Sequence, residues 1–260
     1  MAKTIAIVNQ KGGVGKTTTT FNLGASLVRQ GKKVLLVDLD QQGNLTFCMG
    51  HDSPEELQNN IAQVMLDAIS DEDYNIKDYI FTAHGMDYIG CNIYMSAVEI
   101  NLVNAISREM ILKSILNEVQ QAYDYILLDC APSLGMITIN ALSAADSVII
   151  PLQAEKLAEL GLELLIKNIL RVKKKINPDL EIEGILFVSV PTNQRDPKET
   201  IQTVRDRFGE VVNVYDYIIP RLTEVAKATR KQQAMLEANQ NSVVSDLYGR
   251  LAQEVMNNGR

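Results

Sequence analysis

The sequence has no tryptophan and only three cysteines among its 260 residues. Cys48, Cys91 and Cys130 are odd in number, far apart and in no C-x-x-C pair, which argues against a disulfide framework or a cysteine zinc site. Long apolar runs are missing too, since none approaches the roughly 20 residues that cross a bilayer. The apolar stretch in "MAKTIAIVNQ" is too short for a signal peptide and lacks a small-residue cleavage site, so it is expected to be a strand of a cytoplasmic protein. An excess of basic residues is also absent. With 25 Lys and Arg against 32 Asp and Glu, the net charge is −7. That charge argues against a chain coated by nucleic acid and leaves any DNA contact to a local basic patch. What remains, 46% hydrophobic and 22% charged, is an ordinary globular composition. No internal repeat, low-complexity tract or Gly/Ser linker divides it, and one domain over 1–260 is expected.

Strand and helix patterns alternate along the chain. "KTIAIVN" (3–9) is a short β-branched run that enters a glycine-rich loop, and a helical pattern begins near Thr17 and stops at Gly31. Apolar runs follow at 33–40, 123–132, 146–153, 184–193 and 211–220, with a further candidate at 86–92. Near-continuous apolar strands separated by helices predict an α/β fold, a doubly wound and mostly parallel sheet covered on both faces. Residues 51–79 are acidic and turn-rich around one helical piece, "IAQVMLDAI", and are expected to form a helical excursion at the sheet edge.

The residues with chemistry fall at strand ends, where parallel sheets bind ligands. "QKGGVGKTT" (10–18) nearly fits the phosphate-loop pattern G-x-x-x-x-G-K-[ST], but Gln10 stands where glycine is required and a second lysine, Lys11, precedes the first glycine. Gly12, Gly13 and Gly15 allow backbone N–H groups to approach phosphate oxygens, together with Val14, Thr18 and the helix N-terminus. Lys16 is placed to reach the outer phosphates and Thr17 to ligate Mg²⁺. Asp38 and Asp40 in "VDLD" lie on one side of an extended chain. Asp129 in "LLDCAP" has the form of a strand-end acid that holds Mg²⁺ directly or through water. These residues together imply a Mg²⁺-dependent nucleoside triphosphatase.

The motif K-G-G-x-G-K-[ST]-[ST], with "KVLLVDLDQQGNLT", "IGCNIYMSAVEINL", "YDYILLDCAPSLGMITINALSAADSVIIPLQAEKLAELGL" and "IIPRLTEVAKATR", resembles the ParA (Soj-like) partition ATPases of the ParA/MinD superfamily over nearly the whole chain. The resemblance implies a phosphate-loop NTPase that hydrolyses ATP. It implies that Lys11 crosses an ATP-bound dimer to the partner's phosphates, that Lys16 binds phosphate and that Asp40 orients the attacking water. It further implies that Thr17 and Asp129 serve the Mg²⁺, that Asp38 supports its shell, and that Asn193 and Pro220 lie where relatives hold adenine. Gln41 and Ala131 depart from prolines common in the family. A chain that starts at the first strand is expected to lack the helix-turn-helix extension of autoregulatory members.

A partition ATPase would act as an ATP-dependent homodimer that binds DNA non-specifically, associates with the nucleoid and is released by a ParB-like activator. Its basic surface is expected in the last third, with Arg195, Arg221, Lys227 and Arg230 as DNA contacts and Lys198, Arg205, Arg207 and Lys231 nearby. The acids Asp196, Glu199, Asp206, Glu210 and Glu224 are mixed among them. Two alternatives remain: a MinD-like membrane-cycling ATPase, or an ATPase that positions another cargo. Membrane cycling would use a C-terminal basic amphipathic helix, but "SDLYGRLAQEVMNNGR" offers Leu247, Leu251 and Val255 with Arg250 alone inside the stripe, which fits core packing and no stable membrane insertion. A shared iron–sulfur cluster is not expected from the contexts of Cys91 and Cys130.

Overall fold

The computed structural model describes residues 1–155, 158–191 and 196–258. Its strands are the β-branched and aliphatic runs: β1 (Lys3–Ile7), β2 (Val34–Leu39), β3 (Phe81–Ala83), β4 (Met86–Ile89), β5 (Tyr125–Cys130), β6 (Ser147–Leu152), β7 (Glu181–Val190) and β8 (Val214–Pro220). They form one sheet in the order β3-β4-β2-β5-β1-β6-β7-β8. Every pairing is parallel except β3 with β4.

Parallel neighbours require crossovers, and helices supply them. The first is α1 (Lys16–Arg29), and the short α2 (Asn44–Cys48) follows β2. Next come α3 (Ile61–Ile69), α4 (Met95–Leu102), α5 (Ile111–Asn117) and α6 (Met136–Ala144). The last third holds α7 (Ala158–Lys175), α8 (Asp196–Phe208), α9 (Thr223–Arg230), α10 (Met235–Ala238) and α11 (Val243–Asn257).

Alternation along the strands divides the interior into two cores. Ile5, Ile7, Val34 and Leu36 face a layer built from α1, α2, α10 and α11. Ala6, Val8, Leu35 and Val37 face the opposite layer, which contains α3 to α8. Because both faces are covered, β2, β5 and β6 are buried at every position. Helix α1 lies close to the sheet at Gly24, where an added Cβ would stand 2.9 Å from Leu36 and 2.8 Å from Met86.

The doubly wound parallel sheet expected from the sequence is the observed one, with one added edge strand. β3 pairs antiparallel with β4 through three residues, too short to show a period of two. β7 begins at Glu181, three residues before the apolar run, because Glu183 is buried against Lys3 at 2.9 Å and accepts from Asn258 at 3.0 Å. Residues 51–79 are the helical excursion expected. Their one α-helix, α3, is capped by the Asn60 side chain, which accepts from the backbone N–H groups of Ala62 and Gln63.

Candidate nucleotide-binding site

β1 lies at the centre of the sheet between β5 and β6, so the loop that leaves its carboxyl end opens at the switch point of the fold. Asn9 fixes the loop's origin. Its Nδ2 donates to the Pro151 carbonyl at 2.7 Å, and its Oδ1 accepts from the Lys11 N–H at 3.0 Å. Gln10, the misfit to the standard motif, donates to the Gly161 carbonyl on α7 at 2.9 Å. Gln153 donates to the Gly13 carbonyl at 2.8 Å. The loop is thus held from the β6–α7 side, and Val14 is buried beneath it. Gly15 precedes α1 in the left-handed region at φ 81°, and a Cβ there would meet Val188 at 3.2 Å. No side chain caps α1, so its first N–H groups suit the binding of an anion.

Lys16 is buried and donates to the Lys11 carbonyl at 3.2 Å. Burial lowers its pKa, and the charges of Asp129, Cys130 and Asp40 oppose that shift. Asp38 and Asp129 are register partners on β2 and β5, so two carboxylates sit side by side in the interior. Burial raises the Asp129 pKa well above the ordinary carboxylate range and the Asp38 charge adds to it, while the Thr17 hydroxyl and Lys16 oppose it. Asp129 Oδ1 accepts from Thr20 at 3.4 Å, whereas its buried Oδ2 has no hydrogen-bond partner. Both oxygens of Asp38 are occupied. Oδ2 accepts from the Thr46 hydroxyl at 2.8 Å and its N–H at 2.9 Å, and Oδ1 accepts from the Asp40 N–H at 3.1 Å. Asp40 is buried and accepts from the Gln42 N–H at 3.0 Å.

A buried carboxylate oxygen without a partner, beside a hydroxyl and an empty-handed helix N-terminus, fits a divalent cation bound together with an anionic ligand. Among the described residues no three His, Cys, Asp or Glu side chains form a ready-made metal cage. Mg²⁺ needs none, because it is commonly held through one or two carboxylates with phosphate oxygens and water.

Beside the loop lies a cavity of about 690 Å³. Gly13, Gly15 and Thr18 form its phosphate-loop end, while Val188, Pro220 and Tyr248 stand in its wall. Pro220 therefore lines the same cavity as the loop residues Gly13, Gly15 and Thr18. Arg221, two residues before α9, and Arg230, at its end, also line this cavity, and Lys227 is exposed on α9. Two of the other basic residues are engaged within the fold. Arg207 binds Glu159 and Glu163, and Arg205 donates to the Tyr215 carbonyl at 3.1 Å. Asn193 and Arg195 lie outside the described residues. Lys11 does not reach over its own loop. Its side chain is half exposed and pairs with Glu155.

Residue-type reasoning missed Asn9, Gln10, Gln153 and Thr46 as organisers of the site. Gln10 carried a signal, its misfit to the glycine pattern. Asn9 and Gln153 are polar residues whose partners, Pro151 and Gly13, lie about 140 residues away, whereas Thr46 binds Asp38 only eight residues before it but in no motif.

A central phosphate loop, strand-end carboxylates and a flanking cavity define a phosphate-loop NTPase of the doubly wound class. A family model described as "AAA domain" matches residues 2–182. The chain is 42% identical over its whole length to the sporulation initiation inhibitor protein Soj of Bacillus subtilis, covering 100% of both proteins. It is 38% identical to the chromosome-partitioning ATPase Soj of Treponema pallidum, covering 98% of each, and 36% identical to the chromosome partitioning protein ParA of Caulobacter vibrioides, covering 99% of this chain and 95% of that one. Among solved structures, a cobyrinic acid a,c-diamide synthase from Mycobacterium smegmatis with bound ATP analog and magnesium superposes with a TM-score of 0.86 at 33% identity, over 100% of this chain and 98% of the other. The chain belongs to the ParA/Soj family of ATPases.

Proposed function

We propose that this protein is a Mg²⁺-dependent ATPase of DNA partition. ATP closes it into a homodimer, the dimer binds DNA without sequence preference, and a ParB-like activator triggers hydrolysis and release. The observation that carries the reading is the convergence of Lys16, Asp40 and the unpartnered Oδ2 of Asp129 at one loop whose extra lysine, Lys11, is paired with Glu155 instead. Names of relatives support the partition role.

In this reading the N–H groups of residues 12–18 receive the phosphates, and Lys16 exchanges the Lys11 carbonyl for a phosphate oxygen. Asp129 Oδ2 and the Thr17 hydroxyl would hold the magnesium ion, with Asp38, fixed by Thr46 beside Asp129, supporting from behind. Bound magnesium supplies charge neutralisation at the phosphate oxygens. Asp40 orients the attacking water from the rim. The cavity walled by Val188, Pro220 and Tyr248 takes the adenine, with Asn193 following in sequence after β7. Lys11 completes the partner's site, where a desolvated amine stabilises charge that develops on the phosphates. No arginine stands on the loop itself, so basal turnover is slow and stimulation comes in trans.

Arg221, Lys227 and Arg230 are the proposed DNA contacts, with Arg195 on the preceding segment. The protein works in the cytoplasm and joins the nucleoid in its ATP state. The apolar stripe of α11 supports DNA over membrane, because Leu251 and Val255 are fully buried against α1 and β8. No helix among the described residues is long and apolar enough to cross a membrane.

ATPase activity measured with DNA, with anionic liposomes and with neither tests this reading. Stimulation by DNA together with the activator is expected, and stimulation by liposomes would replace it with the membrane-cycling alternative. In the same assay Asp40→Ala should lower turnover at least about 100-fold while light scattering still records an ATP-dependent dimer. A monomeric Asp40→Ala protein would refute the role given to Asp40.

A further inference from the structure

The loop is tied to the β6–α7 segment at several points. Gln10 donates to the Gly161 carbonyl and Gln153 to the Gly13 carbonyl, so the backbone on either side of Lys11 is fixed. Onto this frame the Lys11 ammonium folds against the Glu155 carboxylate of its own chain. Glu155 is itself set in a local turn, with its N–H donating to the Gln153 carbonyl at 2.9 Å and its carbonyl accepting from Ala158 at 3.1 Å. Lys11 and Glu155 are 144 residues apart, and the pair is half open to water on both sides.

We propose that Glu155 is a positioning residue for Lys11, a latch that holds the amine on its own subunit and must release it before two subunits can pair over ATP. The inference rests on the reading that Lys11 acts in trans. One ammonium cannot neutralise Glu155 and a neighbour's triphosphate at once, so each pairing event breaks two such contacts. An exposed ion pair biases an equilibrium only about 1.4- to 5-fold. Because the dimer releases two, the latch raises the dimer dissociation constant about 2- to 25-fold. That effect is large enough to suppress pairing at low protein concentration and small enough for the γ-phosphate to overcome. After release, the exposed Glu155 carboxylate is solvated and leaves no buried charge behind.

The test compares wild type, Glu155→Gln and Glu155→Asp by two measurements. Analytical ultracentrifugation with Mg²⁺ and a non-hydrolysable ATP analogue gives the dimer dissociation constant. Acetylation of Lys11 in nucleotide-free protein, followed by peptide mass spectrometry, reports whether the amine is held. Glu155→Gln should acetylate Lys11 about 1.4- to 5-fold faster and dimerise about 2- to 25-fold more tightly, with Glu155→Asp in between. Unchanged acetylation would show that the contact is not maintained in solution and would overturn the proposal. Faster acetylation with an unchanged dimer constant would overturn the latch role. A wild-type protein that stays monomeric with the analogue would instead remove the trans reading on which the latch rests.

Discussion

Asp38 differs from the two carboxylates beside it in how its oxygens are used. Thr46 donates to it twice and the Asp40 N–H once, so it faces into the fold, while Asp129 keeps an oxygen free for a ligand. Burial nevertheless pushes the Asp38 pKa up to about 6, against the lowering effect of the Thr46 and Asp40 hydrogen bonds. A raised folded-state pKa means that the native chain binds the proton more tightly than the unfolded chain does. In the metal-free protein the Asp38 contribution is therefore most favourable below about pH 4. It is lost as pH rises to about 6, at a cost of up to about 3 kcal/mol. Asp38→Asn removes this dependence. Its urea midpoint relative to wild type should rise between pH 4 and pH 7, both measured with chelator present, and a constant difference would show that Asp38 stays charged throughout. Lys16 shows the same balance with the opposite charge, since burial lowers its pKa and the acids around it hold the ammonium in place.

At the scale of elements, the glycine loop and the β6–α7 segment form one unit. Standard motif logic makes Gln10 a defect, whereas its amide spans from the loop to the Gly161 carbonyl of α7. Gln10→Gly would recreate the ordinary pattern and yet loosen the loop. The hydrogen bond lost is worth about 0.5–1.5 kcal/mol, and the glycine adds backbone freedom to the unfolded and unbound states. The expected result is weaker binding of a fluorescent ATP analogue by about 2- to 10-fold, with a lower urea midpoint. Tighter binding by the glycine variant would show that Gln10 hinders the loop. Elements of this kind divide the fold into legible and illegible parts. α3 covers "IAQVMLDAI" from end to end because its periodicity is local and Asn60 caps it. β3 was invisible because three residues cannot show alternation, and its partner β4 supplies the context. β7 gained an acidic start because the Lys3 ammonium, from the other end of the chain, accompanies Glu183 into the sheet. The site was legible wherever a motif fixes backbone and side chain together, at residues 12–17, Asp40 and Asp129. It was illegible wherever side chains reach across the sheet, at Asn9 to Pro151 and at Gln153 to Gly13.

For the whole molecule, net charge and proposed DNA binding pull in opposite directions. A chain at −7 repels a polyanion at long range. The basic positions of the last third do not form one uniform face, since Arg207 is tied to Glu159 and Glu163. Arg221, Lys227 and Arg230 pair with no acid among the described residues, but three cations on one subunit give weak affinity. Pairing two subunits doubles the patch and makes the second engagement intramolecular, which raises avidity without any new contact. Binding should therefore appear only with ATP or its analogue and fall steeply with salt. Three to six phosphates neutralised would give a slope of log affinity against log salt of about −3 to −5. Lys227→Ala should reduce that slope by about one per subunit while leaving nucleotide binding intact, because its side chain is exposed outside the cavity wall. Arg230→Ala should weaken DNA and nucleotide together, since it lines the cavity on the same helix. Arg221, just before α9, and Arg230, at its end, both border the cavity, so the proposed DNA surface adjoins the proposed nucleotide site. Fluorescence anisotropy with a random duplex across a salt series measures these slopes. Equal binding by the nucleotide-free protein would mean that one subunit's patch suffices and that dimerisation does not control DNA contact.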